Sequence, residues 1–124
     1  TKQAGVRSIT FSDTNMITAF SNDYGYENWM AKALDLYSNV GDVLVITSVS
    51  GESPNVVMAA QRAKEVGMKV VTFSGRSSKN SLKELGDINF WVDSNAYNIV
   101  ECIHMMWITT VVDSVIGKSE YEVS

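Results

Sequence analysis

Gly41-Asp42-Val43-Leu44-Val45-Ile46-Thr47-Ser48-Val49-Ser50-Gly51-Glu52-Ser53-Pro54-Asn55-Val56-Val57 is the stretch around which the chain is organised. Val43 to Ile46 is a continuous apolar, mostly β-branched run bounded by Gly-Asp, the pattern of a strand covered on both faces. Ser53 followed by Pro54 is an N-cap with proline at the first helical position. Beyond it Val56, Ala59, Ala60, Ala63 and Val66 recur at helical spacing, and Gly67 is placed to stop the helix. Between strand and cap lie Ser48, Ser50, Gly51 and Ser53: hydroxyls and a flexible backbone at a helix N-terminus, where free N–H groups and the dipole favour an anion. The arrangement predicts a phosphate seat; a plain helix cap with a tight turn is the alternative.

The loop lacks the Gly-Lys-Ser/Thr of a Walker loop and the Gly-x-Gly-x-x-Gly of a dinucleotide turn. A lysine-free hydroxyl loop suits a phosphate monoester better than a polyphosphate, and the missing glycine fingerprints disfavour a nucleotide-binding protein.

Ser48-Val49-Ser50-Gly51-Glu52-Ser53, preceded by Gly-Asp-Val-Leu and followed by a helix and Gly67-Met68-Lys69-Val70-Val71-Thr72, resembles the sugar isomerase (SIS) domain. Within that family the chain is most similar to the sedoheptulose-7-phosphate (phosphoheptose) isomerase branch, because Ser21-Asn22-Asp23-Tyr24-Gly25-Tyr26 matches its Asn-Asp-aromatic-Gly-aromatic segment. The register holds from about Ser12 to about Val115. The resemblance implies an α/β fold, a three-layer α/β/α parallel sheet of flavodoxin-like type. It implies phosphate held by Ser48, Val49, Ser50 and Ser53, with sugar contacts from Asp23 and Asn98. The implied activity is aldose–ketose isomerisation of a phosphosugar, of the heptose or capsule and lipopolysaccharide kind. The alternative is a non-catalytic SIS module that binds a sugar phosphate or a protein partner. By itself, Asn22-Asp23 also fits an Asx turn before a helix.

Composition narrows the classes. A chain of 124 residues is one domain, with room for one core. Hydrophobic content of 45% and charged content of 19% are those of an ordinary globular chain. Net charge is −4 without a basic cluster, so no nucleic-acid footprint is visible. One cysteine, Cys102, excludes an internal disulfide and a cysteine-rich metal site. No signal peptide or membrane-spanning run is read, so no membrane partner is expected and the default address is cytoplasmic.

In chain order, Val6 to Phe11 is a strand candidate ending in the polar turn Ser12–Asn15, and Ile17 to Phe20 is a helical turn packing under the sheet. A loop at Asn22–Gly25 leads to a helix from about Tyr26 to Asn39, with Trp29, Met30, Ala33, Leu34, Tyr37 and Val40 on one face. Lys69 to Phe73 reads as a strand, 76–80 as a solvated polar and basic loop, with a lysine or arginine there touching a substrate as the alternative, Ser81 to Leu85 as a short helix and Ile88 to Val92 as an edge strand. The last helix, about Tyr97 to Ile116, is apolar nearly all round and calls for cover on two sides, the sheet and a second subunit. A homodimer or homotetramer through 97–116 is therefore expected, and the tail 117–124 reads as frayed.

The resemblance covers the C-terminal two-thirds of the family's domain, residues 1–124. The family's N-terminal helices and its first strand, which lies between the counterparts of Val6–Phe11 and Val43–Ile46, have no counterpart here. A fragment is expected. The family's catalytic glutamate and a histidine metal ligand belong to that absent part. On the last helix, Glu101 and Thr109 stand where relatives carry a glutamine and a catalytic histidine, and Asn98 stands for their aspartate. Moving a proton between C1 and C2 needs a tuned base. Threonine cannot serve; Glu101 is the candidate, provided it is partly buried opposite the loop. His104, amid methionine and isoleucine, reads as a satisfied core histidine. No cofactor is expected, since the family's zinc site is not preserved in these residues.

Overall fold

Among the residues that the computed structural model describes, 4–120, the elements run α1 (Thr14–Tyr24), α2 (Trp29–Tyr37), β1 (Val43–Ser48), α3 (Pro54–Glu65), β2 (Lys69–Gly75), α4 (Ser81–Leu85), β3 (Ile88–Val92) and α5 (Tyr97–Ile116). The three strands form one parallel sheet in the order β1-β2-β3. Val43 pairs with Lys69 through to Ser48 with Ser74, and Val71 with Ile88 through to Gly75 with Val92. Parallel neighbours need a crossover, and α3 and α4 supply the two crossovers.

One sheet face carries Ile46 and Val70, which pack with Val56, Ala59, Ala60 and Ala63 of α3, Leu82 of α4 and Leu34 of α2. The three alanines, at most 1% exposed, let α3 lie close to the sheet. The opposite face carries Phe73 and Phe90, stacked 4.5 Å apart between centroids. His104 of α5 meets Phe73 edge-on at 5.8 Å and Trp107 meets Phe90 at 5.7 Å. The result is a three-layer α/β/α arrangement, as expected from the sequence. The Gly67 stop is a Schellman motif: Gly67 has φ +85°, its N–H bonds Lys64 O at 3.1 Å, and Met68 N–H reaches back to Ala63 O at 2.9 Å.

The region before β1 departs from the sequence reading. Residues 6–11 form no strand, and Val6 and Ile9 are 53% and 66% exposed. A strand exists only against a partner, and among the described residues β1 is bare along that edge. Only Phe11 packs inward, 5.7 Å from the Tyr37 ring. The supposed turn 12–15, helical turn 17–20 and loop 22–25 are one helix, α1, which packs on α2 and buries no residue. Asp13 starts it by accepting Met16 N–H at 2.9 Å, and Gly25 at φ +87° ends it. Helix α2 is shorter than expected, with Trp29, Ala33 and Leu34 buried but Tyr37 and Val40 exposed.

Helix α5 spans the expected range, yet only Val100 and His104 are buried. By length and composition it is apolar enough to cross a membrane, against the reading that no such run is present. Its seat on Phe73 and Phe90 is nonetheless that of a helix covering a sheet. Gly117 caps it in the left-handed conformation, while 121–124 of the expected tail lie outside the described residues.

Candidate functional site

The loop from Ser48 to Ser53 leaves the carboxyl end of β1 and enters α3, the position at which open parallel sheets bind ligands. Ser48 Oγ accepts Gly51 N–H at 3.1 Å and Ser50 Oγ accepts Glu52 N–H at 3.2 Å. Each hydroxyl is thus held as an acceptor, which leaves its own O–H free to donate to an anion. Ser53 occupies the N-cap position, but its side chain makes no capping bond; only its carbonyl engages the helix, through Val56 and Val57 N–H at 3.0 and 3.1 Å. Helix α3 has no acid in its first turn and Arg62 and Lys64 in its last, so its N-terminal dipole has no side-chain anion against it. A phosphate monoester fits this constellation of free donors.

The loop is braced from the next crossover. Leu82 N–H donates to Gly51 O at 2.9 Å, and Gly75 N–H to Val49 O at 3.0 Å. The Glu52 carboxylate turns away from the serines to accept Ser81 N–H at 2.8 Å and Ser81 Oγ–H at 2.7 Å, capping α4. Asn80, wholly buried, donates to Ser74 Oγ, Gly75 O and Ser77 O at 3.1, 3.3 and 2.8 Å and accepts Lys83 N–H at 2.9 Å. The sequence reading of 76–80 as a solvated loop is therefore wrong at Asn80. An asparagine three residues before Lys83 at the head of the Leu82–Leu85 pattern is an N-cap signal that could have revealed it.

Two carboxylates tie these turns by accepting backbone N–H groups, which holds both below their ordinary pKa. For Glu52 the Ser81 hydroxyl is the larger cause and Ser81 N–H the next; for Asp87 it is the Val70 N–H, 2.8 Å away. A depressed folded pKa gives stability that is complete above the unfolded value and lost as pH falls through the folded one. Thermal midpoints should therefore fall as pH drops below the ordinary values of 4.5 and 3.8. Glu52→Gln with Asp87→Asn should flatten that fall. A double variant with the wild-type acid profile would show that other groups govern it.

The remaining expected residues lie apart from the loop's bonds. Asp23 is exposed in the last turn of α1, not in a loop, and accepts from the Asn22 amide at 2.9 Å. Asn98 and Glu101 are exposed on the first two turns of α5, and Glu101 has no hydrogen-bond partner among the described residues. The partial burial that a base role asks of Glu101 is absent. Thr109 bonds its own helix, Met105 O at 2.8 Å. His104 is 5% exposed and bonded to Ser74 O at 3.1 Å through Nε2, a satisfied core histidine. No group of three or more His, Cys, Asp or Glu able to hold a metal occurs among the described residues.

The model of the SIS domain matches residues 2–75, more than half of the chain. The chain belongs to the SIS domain family. The phosphoheptose isomerase of Helicobacter pylori (strain P12) is 35% identical over 115 residues, covering 92% of this SIS chain and 59% of the relative. That of Fusobacterium nucleatum is 34% identical over 108 residues, 87% of this chain and 55% of the relative. Among solved structures, a phosphoheptose isomerase from Francisella tularensis superposes with TM-score 0.81 at 28% identity, covering 87% of this chain and 58% of the other. One from Neisseria gonorrhoeae gives 0.78 at 31%, covering 84% and 58%. The SIS chain thus spans somewhat over half the length of these relatives.

Proposed function

We propose that this SIS domain binds a sugar phosphate and belongs to a phosphosugar isomerase of the phosphoheptose type. The observation that carries the proposal is the pair of hydroxyls, Ser48 and Ser50, fixed as acceptors of backbone N–H so that both O–H groups stay free at the start of α3. In this reading Ser48, Ser50 and Ser53, with the Val49 backbone, hold the phosphate. Asp23 and Asn98 meet sugar hydroxyls, and Glu101 is the one carboxylate on the first two turns of α5 to place near the reacting carbons. Likeness to phosphoheptose isomerases supports the substrate class. Assembly of copies through α5, where Met105 and Met106 are each 67% exposed, and a cytoplasmic address belong to the same proposal.

A second reading, binding without turnover, is favoured by exposed Glu101 and by Thr109 bonded to its own helix. Titration of sedoheptulose-7-phosphate, followed by an aldose–ketose assay, separates the two. Ser50→Ala removes one donor to a dianion, worth about 1.5–3 kcal/mol, and should weaken binding ~10–100-fold with little change in thermal midpoint. Undiminished affinity in Ser50→Ala would move the phosphate elsewhere, and binding without conversion would favour the second reading.

A further inference from the structure

We propose that Arg76 is a ligand-binding residue that supplies a phosphate monoester on the Ser48–Ser53 loop with the cation the loop itself lacks. The inference deepens the proposed function and rests on it. Strands β1 and β2 end side by side, Ser48 opposite Ser74, and Gly75 N–H on Val49 O ties the chain after β2 to the serine loop. Packing there is tight: a Cβ on Gly75 would stand 2.8 Å from Val100 Cγ2 and 3.1 Å from Val49 O. Arg76 is the next residue, its N–H fixed on Ser94 O at 3.0 Å, so its backbone follows directly on the tie to the serine loop. On α5 the guanidinium carbon lies 4.8 Å from the ring centroid of Tyr97, one residue before Asn98.

Two features set this arginine apart. Its φ of +55° is the left-handed conformation, and it is the only non-glycine residue with positive φ among those described. Glycine would take that backbone at lower cost. Its Nε is buried without an acceptor, and among the described residues no carboxylate pairs with the guanidinium. An unpaired guanidinium resting over an aromatic ring keeps its fork of donors for a planar or tetrahedral anion. A phosphate monoester dianion on neighbouring hydroxyls is the anion that this placement serves.

The test titrates sedoheptulose-7-phosphate, and separately inorganic phosphate, into the full chain and its Arg76→Gly, Arg76→Lys and Ser50→Ala variants, with a thermal melt of each. Arg76→Gly should weaken both ligands at least tenfold while the melting midpoint holds or rises, because glycine relieves the left-handed backbone. Arg76→Lys should recover part of the affinity, through charge without the fork. Wild-type affinity in Arg76→Gly, with binding lost in Ser50→Ala, would overturn the role of Arg76 and leave the serine seat standing. A lowered midpoint in Arg76→Gly would make the residue structural and overturn the proposal equally. Absence of binding by the wild-type chain would sink the phosphate seat itself.

Discussion

Gly51→Ala should cost about 3–5 kcal/mol of folding stability and abolish phosphate-monoester binding. Two terms combine. Gly51 has φ +67°, a conformation that costs an L-residue with a side chain about 1–2 kcal/mol. The added methyl would also collide with the Asn80 side chain, whose Cβ would be 2.9 Å away. That side chain cannot swing aside cheaply, because it is wholly buried and holds four hydrogen bonds. Each buried polar group left without a partner adds about 1–3 kcal/mol. Gly67→Ala is the control: φ is also positive, at +85°, but the nearest atom is Val40 Cγ1 at 3.2 Å, on an exposed side chain. Its cost should be confined to the backbone term of about 1–2 kcal/mol. Urea unfolding of both variants checks the difference; equal losses would mean that Asn80 yields freely.

Asn80→Asp should destabilise by about 3 kcal/mol at neutral pH although it changes no shape. The amide nitrogen faces Ser74 Oγ and the carbonyls of Gly75 and Ser77. A carboxylate would turn a donor into an acceptor against those oxygens and would bury a charge. The folded-state pKa of the new carboxyl is thereby raised, so its penalty is small below the unfolded value of about 3.9 and grows as pH rises above it. The gap between variant and wild type in urea midpoints should therefore narrow from pH 7 to pH 4. A gap that stays constant would show that lost amide bonds, not charge burial, set the cost.

The sheet and its crossovers were legible because their signals are local. The β-branched runs at Val43–Ile46 and Lys69–Phe73, the Ser53-Pro54 start and the Gly67 stop each follow from neighbours in sequence and stand where expected, but β1 is not covered on both faces as its apolar run suggested: Val43 and Val45 are exposed. Residues 6–11 misled because a strand-like composition says nothing about whether a partner strand lies alongside. Residues 14–24 misled because Asn22 and Asp23 favour turns, yet both sit at the exposed end of a helix closed by Gly25. In the site, the serines could be read from the loop. Their support was legible only in part: the N-cap role of Asn80 is local, whereas its bonds to Ser74 and Gly75 and those of Glu52 to Ser81 span 5 to 29 residues, which no periodicity encodes. The exposure of Glu101 is likewise a property of packing.

The bond from Leu82 N–H to Gly51 O has a practical side. It makes the amide of a wholly buried leucine one hydrogen bond away from the serine loop, though it belongs to another crossover. In a spectrum of the isotope-labelled chain, that amide is a built-in gauge of the loop. Its chemical shift follows the Gly51 carbonyl, and its exchange with deuterium follows the opening of the two crossovers as one unit.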